Sequence, residues 1–160
     1  EKGEIKYSKK FNLNKTAYIP QEIFLFDDSI KNNIVNDLVS KKINKNKLLK
    51  SIHQAELENF LNSKSLGIDA QIGDKGIKLS GGQRQRVALA KIFYDDPNLI
   101  CLDEATSALD SKTESKILKR LFSKKNRNVI IISHRLSSLK LCDKVYEVRN
   151  KKLYLKNSYK

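Results

Sequence analysis

Cysteine is scarce in this 160-residue chain, and no uninterrupted apolar run approaches the ~20 residues that cross a bilayer. The first residues, Glu1 to Ile5, are not followed by the apolar stretch of a secretory signal. Cys101 lies within an apolar run and Cys142 follows one, and neither has a His or Cys neighbour at metal-ligand spacing. We therefore expect one domain in a reducing compartment, on the cytoplasmic side of the membrane.

Negative charge is also under-represented, since 32 Lys and Arg residues face 18 Asp and Glu residues and the net charge is +14. Nucleic-acid binding is one interpretation, because phosphate backbones attract basic side chains. A second is a solvated lysine-rich surface, and a third is attraction to anionic lipid, at roughly 1 kcal/mol per well-placed basic residue. The basic clusters are short and scattered, as at Lys41-Lys42 and Lys124-Lys125, which favours the solvated surface. We expect no specific nucleic-acid partner.

A third feature is missing: a phosphate-cradling loop of the form G-x-x-x-x-G-K-[ST]. Among the six glycines, only Gly76 and Gly81 have the required separation. The next residue is Gly82 and not lysine, so this match fails. The sequence therefore lacks the primary phosphate site of a nucleotide triphosphatase.

Other parts of such an enzyme are present, beginning with the pentapeptide Leu79-Ser80-Gly81-Gly82-Gln83. Ser80 is a suitable N-cap for the amphipathic run that follows it and that ends near Asp95-Asp96-Pro97. The free N–H groups and the positive end of such a helix favour a phosphate. Two adjacent glycines alone are more often a turn, so this motif needs support from others.

A pair of carboxylates, Asp103 and Glu104, ends the apolar run from Leu99 to Leu102. Adjacent carboxylates at a strand end suit the binding of Mg²⁺ and the orientation of a water molecule. They could instead cap the helix that follows. His134 comes after another apolar run, 129–132, and parallel strands would place it beside the carboxylate pair, at the edge where ligands bind. His53 lies in a helical stretch without a motif, and we interpret it as structural.

Hydrophobic periodicity predicts an α/β chain whose apolar strands alternate with helices in a parallel sheet covered on both faces. Residues 28–66 read as all-helical, with a short helix at 30–35 and one longer helix at 48–61, and a loop spans residues 67–76. Further helices are predicted from residue 80 to about 93, at 111–122 and from 136. The predicted strands cover residues 4–7, 16–20, 99–102, 129–132, 145–148 and 153–155.

Taken together, these motifs resemble the C-terminal part of an ATP-binding cassette, the nucleotide-binding domain of ABC transporters. The resemblance runs from about Gly3 to Leu155 and involves five motifs in the family's order. They are the Q-loop (residues 18–21 with 24–26), the signature (79–83), the Walker B strand (99–104), the D-loop (107–110) and the switch segment (133–135). It implies a partial P-loop NTPase (RecA-like) α/β lobe with an inserted all-helical subdomain and with the N-terminal Walker A part missing. Residues 28–80 would form that subdomain, and residues 1–27 and 81–160 the catalytic lobe.

The resemblance implies ATP and Mg²⁺ as cofactors and assigns roles to four residues around them. Gln21 would reach Mg²⁺ and the attacking water, and Asp103 would hold Mg²⁺ through water. Glu104 would act as the general base, and His134 would contact the γ-phosphate. The adenine-stacking aromatic that precedes these motifs in the family has no counterpart here.

The family also works as a head-to-tail dimer, which implies roles at the neighbouring cassette. Ser80, Gly81 and Gly82, within the signature that ends at Gln83, would touch the γ-phosphate of a nucleotide bound mainly to the partner. Asp110 would lie at the dimer interface. The implied partners are therefore a second nucleotide-binding domain, a transmembrane domain and the missing upstream Walker A segment.

The branch of the superfamily follows from segments that are similar to exporter-type cassettes. They are residues 21–26 with 29–34, the X-loop-like segment 72–76, and the tail 134–139, which is similar to exporters of lipids, oligosaccharides and peptides. The 59 residues from Gln21 to Ser80 show no sustained heptads, which excludes the coiled coils of related DNA-repair ATPases. We therefore expect an exporter ATPase on the cytoplasmic face of the cell membrane. The alternatives are a non-hydrolytic module that lends its signature in trans and a nucleic-acid-associated cassette protein.

Overall fold

A three-stranded parallel sheet in the order β1-β2-β3 forms the centre of the computed structural model, which describes residues 15–35, 43–63 and 67–158. The strands are β1 (Thr16–Ile19), β2 (Leu99–Asp103) and β3 (Asn128–Ile132). Ile19 pairs with Leu102, and Asp103 pairs with Ile132, so the carboxyl ends of all three strands meet at one edge. The predicted α/β fold with a parallel sheet is confirmed. The strand predicted at residues 4–7 lies outside the described residues.

Six helices accompany the sheet in the described part of the chain. They are α1 (Ile30–Val35), α2 (Lys45–Gln54), α3 (Glu58–Asn62), α4 (Gly81–Asp95), α5 (Ser111–Phe122) and α6 (Leu136–Leu139). None of them has the length and apolar character needed to cross a bilayer. The segment predicted as a loop contains two short 3-10 turns, Gly67–Asp69 and Asp74–Gly76.

One face of the sheet carries the hydrophobic core, because alternate strand residues point to opposite sides. Ile100 and Leu102 are almost fully buried and belong to one apolar cluster with residues of α4 and α5. On the opposite face, Tyr18, Ile130 and Ile132 are 62%, 55% and 56% exposed. The prediction of a sheet covered on both faces is therefore wrong for the described residues. An apolar strand sequence indicates that both faces can be buried, but it does not supply the element that buries them.

The helix predicted to run from residue 48 to 61 is wrong as a single element, because the structure divides it into α2 and α3. Glu56 takes the left-handed backbone conformation, with φ of 56°. Its N–H donates to the carbonyl of His53, and the N–H of Leu57 donates to the carbonyl of Ile52. This pair of hydrogen bonds is a Schellman motif, which ends α2 and turns the buried Leu57 back into the core.

The last two strands, β4 (Lys144–Arg149) and β5 (Lys152–Ser158), form an antiparallel hairpin separate from the parallel sheet. Asn150 and Lys151 connect them, and both have positive φ, as a two-residue type I′ turn requires. The positions of both strands are confirmed. Strand and helix continue to alternate as far as β4, but the parallel sheet ends at β3.

Candidate functional site

The carboxyl edge of the sheet brings together residues that are far apart in sequence. Asp103 ends β2 and Glu104 follows it directly, and His134 follows β3 by two residues. The Nε2 atom of His134 lies 2.7 Å from Oε1 of Glu104. The His134 side chain is 88% exposed and that of Glu104 is 21% exposed, so this polar pair opens to solvent at the strand ends.

The backbone of Glu104 is held in an uncommon conformation, with φ of 48°. Its N–H donates to the carbonyl of Ile132 at 3.0 Å, and its own carbonyl accepts from the N–H of Ser107 at 3.0 Å. A left-handed non-glycine residue is strained by about 1–3 kcal/mol and persists where the surroundings enforce it. Here the hydrogen bonds to β3 and to the following turn enforce it, and they direct the Glu104 side chain.

Asp103 has a partner that the sequence did not reveal. The phenol of Tyr18, on the neighbouring strand β1, donates to Oδ2 of Asp103 at 3.2 Å. Partial desolvation, followed by this bond to a carboxylate, raises the pKa of the Tyr18 phenol above its ordinary value. The bond orients Asp103 across the exposed face of the sheet, whose register places Tyr18 and Asp103 on that same side.

Gln21 is exposed just beyond β1, and no hydrogen bond joins its described side chain to Asp103 or Glu104. It lines an open cleft of about 760 Å³ whose other wall includes Gly81, Gln85 and Ala108. The structure therefore places Gln21 between the strand edge and the start of α4.

Helix α4 begins with a complete capping box. The N–H of Gln83 donates to Oγ of Ser80 at 3.2 Å, and the N–H of Ser80 donates to Oε1 of Gln83 at 2.8 Å. This satisfies the amides of Ser80 and Gln83. In an α-helix the amides at Gly81 and Gly82 have no intrahelical acceptor. Ser80 is confirmed as the N-cap, and the helix start presents these two amides and its positive end together.

The D-loop (residues 107–110) packs directly on this helix start. A Cβ atom added at Gly82 would lie 2.9 Å from the carbonyl oxygen of Ala108, whereas one at Gly81 would lie 3.4 Å from the Ala108 Cβ. Asp110 ends the D-loop and caps α5, since its Oδ1 accepts from the N–H of Thr113 at 2.9 Å. Hydrogen bonds from the Thr113 side chain and backbone lower the pKa of the Asp110 carboxyl.

Two polar side chains to which the sequence motifs assign no role hold the D-loop from opposite sides. Gln85 accepts from the N–H of Ala108 at 2.9 Å. Arg135 donates to the carbonyls of Ser107 and Leu109, both at 2.8 Å. Arg135 also contacts Glu114, at 3.2 Å.

Glu114 is 1% exposed, and besides Arg135 it accepts hydrogen bonds from Thr106 at 2.6 Å and from Ser138 at 2.9 Å. A sequence signal for such residues existed: Gln85 and Glu114 interrupt the apolar faces of their helices. Gln85 precedes Leu89 by four positions, and Glu114 precedes Leu118 by four.

The donor set fits a magnesium ion that arrives with a nucleotide. Mg²⁺ is usually held by one or two carboxylates together with water and substrate phosphates. Asp103 offers such a carboxylate, and the described residues contain no group of three or more His, Cys, Asp or Glu side chains that would form a protein-only metal cage. The amides at the start of α4 form a second group suited to a phosphate, separate from the carboxylate edge.

The parallel sheet, its carboxylate edge and the glycine-bearing helix start define a lobe of the P-loop NTPase class. The family model described as "ABC transporter" matches residues 1–107. The chain belongs to the ABC transporter family. This confirms the predicted resemblance to exporter-type ATP-binding cassettes.

Similar proteins are considerably longer than this chain. The "ATP-dependent lipid A-core flippase" of Idiomarina loihiensis is 39% identical over 145 residues, which are 90% of this chain and 25% of the flippase. "ABC transporter B family member 18" of Arabidopsis thaliana is 39% identical over 137 residues, 84% of this chain and 11% of that protein. A solved structure of a bacterial Atm1-family ABC exporter with ATP bound superposes with a TM-score of 0.78 at 33% identity. The match covers 87% of this chain and 24% of the exporter chain. The chain thus spans about a quarter of the flippase and of the exporter.

Proposed function

We propose that this chain is the signature-bearing part of the nucleotide-binding domain of an ABC exporter, and that it takes part in ATP binding and hydrolysis. The observation that carries the proposal is the Glu104–His134 pair, 2.7 Å apart beside Asp103 at the carboxyl edge of the sheet. A helix cap would need neither the histidine contact nor the enforced backbone of Glu104. A catalytic base needs both a fixed position and access to solvent.

In this proposal the residues at the strand ends act on the nucleotide bound to the same cassette. Mg²⁺, held through Asp103 and Gln21, would neutralise the charge on the phosphates when bound. Glu104 accepts a proton from the attacking water as that water approaches the γ-phosphorus. His134 contacts the γ-phosphate and, through its bond to Glu104, keeps the base in place. Tyr18 holds the Asp103 carboxylate through the 3.2 Å hydrogen bond.

The start of α4 and the D-loop act at a second cassette in the same proposal. The amides of Gly81 and Gly82, with Ser80 and Gln83 beside them, bind the γ-phosphate of the partner's nucleotide in a head-to-tail dimer. Asp110 lies at that interface. We further propose that residues 28–80 form a helical subdomain on a catalytic lobe made of residues 1–27 and 81–160.

The remaining partners are segments that the similar proteins have in addition. We propose an upstream segment with a phosphate-binding loop, for which the uncovered sheet face at Tyr18, Ile130 and Ile132 is available. We also propose a transmembrane domain, which places this chain at the cytoplasmic face of the membrane. The transported substrate would be a lipid, an oligosaccharide or a peptide, and the flippase name of one relative favours a lipid.

Two substitutions test the proposal in a protein where a phosphate-binding loop precedes this sequence. Glu104→Gln should retain ATP binding, lose turnover and accumulate as an ATP-bound dimer, because an amide cannot accept the proton from water. Ser80→Arg should also lose turnover but remain monomeric, because a bulky cation occupies the site of the partner's γ-phosphate. Sizing chromatography with ATP separates the two outcomes, and the 160-residue chain alone, without a phosphate loop, should not hydrolyse ATP.

Near-normal turnover in Glu104→Gln would show that Glu104 is only a cap. A wild-type protein that binds ATP and dimerises but does not hydrolyse it would instead support the non-hydrolytic module. Sequence-selective DNA binding that persists at physiological salt would support the nucleic-acid-associated alternative.

A further inference from the structure

Gln85 is a buried carboxamide whose hydrogen-bonding groups all bind one segment of the chain. It is 5% exposed. Its Nε2 donates to the carbonyl of Glu104 at 3.3 Å and to Oγ of Ser107 at 3.1 Å, and its Oε1 accepts from the N–H of Ala108 at 2.9 Å. A single side chain of α4 therefore contacts the backbone of the proposed base and two residues of the D-loop.

The contact with Glu104 acts on a strained residue. The positive φ of Glu104 directs its side chain, and it is kept by hydrogen bonds to its N–H and its carbonyl. Gln85 supplies one of the two donors to that carbonyl, and Ser107 supplies the other. Removing the carboxamide would leave the Glu104 carbonyl with one bond and the Ala108 N–H without its acceptor. The side-chain direction of Glu104 would then be less restricted.

Gln85 is also joined to the anion-facing end of the same helix. It follows Gly82 by three residues, about one helical turn, and Gly82 packs against the Ala108 carbonyl. Ala108 is thus contacted on its carbonyl side by the start of α4 and on its N–H by Gln85. A displacement of the helix start would therefore reach the D-loop through Gly82 and Ala108, and the carbonyl of Glu104 through the 3.3 Å bond of Gln85.

We propose that Gln85 is a positioning residue that couples the start of α4, which faces the partner's nucleotide, to the general base Glu104, which acts on the cassette's own nucleotide. This inference rests on the proposed function. Its consequence is that the position of Glu104 depends on the position of the start of α4, which closes on the partner's γ-phosphate. Hydrolysis at one site then depends on closure at the other.

Asn33 offers a matched control variant. It too is a carboxamide that is 5% exposed and makes three hydrogen bonds: it accepts from the N–H of Phe26 at 2.8 Å and donates to the carbonyls of Phe26 and Ser29. None of these bonds touches Glu104 or the D-loop. Gln85→Leu and Asn33→Leu therefore remove the same chemistry from equally buried positions, and we expect them to lower thermal stability to a similar extent.

The first arm of the test measures hydrogen exchange in the 160-residue chain without nucleotide. Gln85→Leu should accelerate hydrogen exchange of the Ala108 amide at least tenfold more than it accelerates exchange of the α5 amides. The reason is that the Ala108 amide loses its only described acceptor. Asn33→Leu should leave exchange at Ala108 within twofold of wild type. Equal exchange at Ala108 in Gln85→Leu and wild type would overturn the proposal.

The second arm measures turnover in the protein that includes an upstream phosphate-binding loop. Gln85→Leu should lower kcat by about 10- to 100-fold, because a base displaced by about 1 Å loses that much rate. The KM for ATP should change less than twofold, and the ATP-bound dimer should still form. Asn33→Leu should lower kcat less than Gln85→Leu does, because its hydrogen bonds hold Phe26 and Ser29 and not Glu104. A merely structural role for Gln85 would make the two variants alike.

The outcomes separate this inference from the proposed function. If the wild type hydrolyses ATP and Gln85→Leu has the same kcat, the inference is overturned and the proposed function stands. Absence of turnover in the wild type overturns the proposed function and this inference with it. A rise in KM with loss of the dimer would show that Gln85 shapes the nucleotide surface and does not position the base.

Discussion

The contact between Gly82 and the D-loop makes two neighbouring glycines differ in their tolerance of alanine. Both lie in the first turn of α4, and neither has a positive φ that would itself require glycine. On helix propensity alone, each replacement should stabilise the helix by up to about 1 kcal/mol. At Gly82, however, the new Cβ would lie 2.9 Å from the Ala108 carbonyl oxygen, which is closer than van der Waals contact allows.

The size of the penalty depends on whether Ala108 can move away. Its N–H is bonded to Gln85, and the carbonyls on either side of it are bonded to Arg135. A shift would lengthen several of these bonds, so we expect an overpacking cost of about 1–3 kcal/mol. At Gly81 the new Cβ would meet only the Ala108 methyl, at 3.4 Å, which is ordinary contact. The two variants should therefore differ by about 2 kcal/mol, with Gly82→Ala the less stable.

Urea unfolding followed by circular dichroism measures this difference in the 160-residue chain without nucleotide. For a chain of this length, about 2 kcal/mol corresponds to roughly 4–8 °C in Tm, which a thermal scan also resolves. The slope of free energy against urea should be the same in both variants, since neither changes the surface exposed on unfolding. If Gly82→Ala proves as stable as Gly81→Ala, the D-loop does not press on the start of α4 as the structure shows.

Two further predictions concern charged groups that connect helices. Glu56→Gln should lower the free energy of unfolding by up to about 1 kcal/mol, and by less in high salt, because the partly exposed carboxylate bonds to Lys116 at 2.9 Å and to Arg120 at 2.7 Å. Burial raises the pKa of the Glu56 carboxyl, but these bonds outweigh burial and the pKa is lowered. The contribution of Glu56 to stability is therefore present above about pH 4.3 and is lost as the pH falls through the folded-state pKa. A loss of stability in Glu56→Gln that does not depend on salt would contradict this account. Thr113→Ala should raise the pKa of Asp110 part of the way towards its ordinary value in an NMR titration, because it removes the side-chain hydrogen bond, the largest cause of the lowered pKa, and keeps the backbone N–H bond. An unchanged titration would show that the backbone hydrogen bonds alone lower this pKa.

Local chemistry made most of the secondary structure predictable from the sequence. The serine at residue 80 fixed the start of α4, and the amphipathic run 111–122 gave α5 with its observed bounds. Both signals need only neighbouring residues: a side-chain oxygen that caps free amides and an apolar stripe with helical spacing. The apolar runs at 99–102 and 129–132 likewise predicted β2 and β3 to within one residue at either end.

The errors arose where the conformation depends on tertiary contacts or on an unfavourable backbone. Glutamate has no intrinsic preference for the left-handed region, so the residue type at Glu56 did not predict the end of α2. Helix α2 is stopped there by a turn that returns Leu57 to the core and lets Arg86 and Arg120 bond to the carbonyls around it. Only the folded structure brings α4 and α5 to this turn. The sequence therefore predicted the helical content of the segment and missed its division into two helices.

The candidate site was predictable as a set of residues but not as a network. Motifs predicted Glu104, His134 and the glycines of α4 as site residues, because each residue type within its motif suggests its own chemistry. The roles of Gln85 and Arg135 depend on which carbonyls and amides face them, and those belong to a turn that is 23 residues from Gln85 and 26 residues from Arg135 along the chain. A polar residue on an apolar helix face signals that a partner exists. It does not say which one.

The kind of contact around the D-loop bears on how the proposed dimer would work. Apolar packing tolerates small sliding movements, whereas a hydrogen bond weakens steeply when its distance or angle changes. The D-loop is held by Gln85 on one side and by Arg135 on the other, and Asp110 caps α5 at its end. Because Arg135 follows His134 directly, the same turn is tied both to the start of α4 and to the residue that contacts Glu104. A movement at either end must therefore change hydrogen-bond geometry at the other, and this favours all-or-none closure of the two sites over independent adjustment.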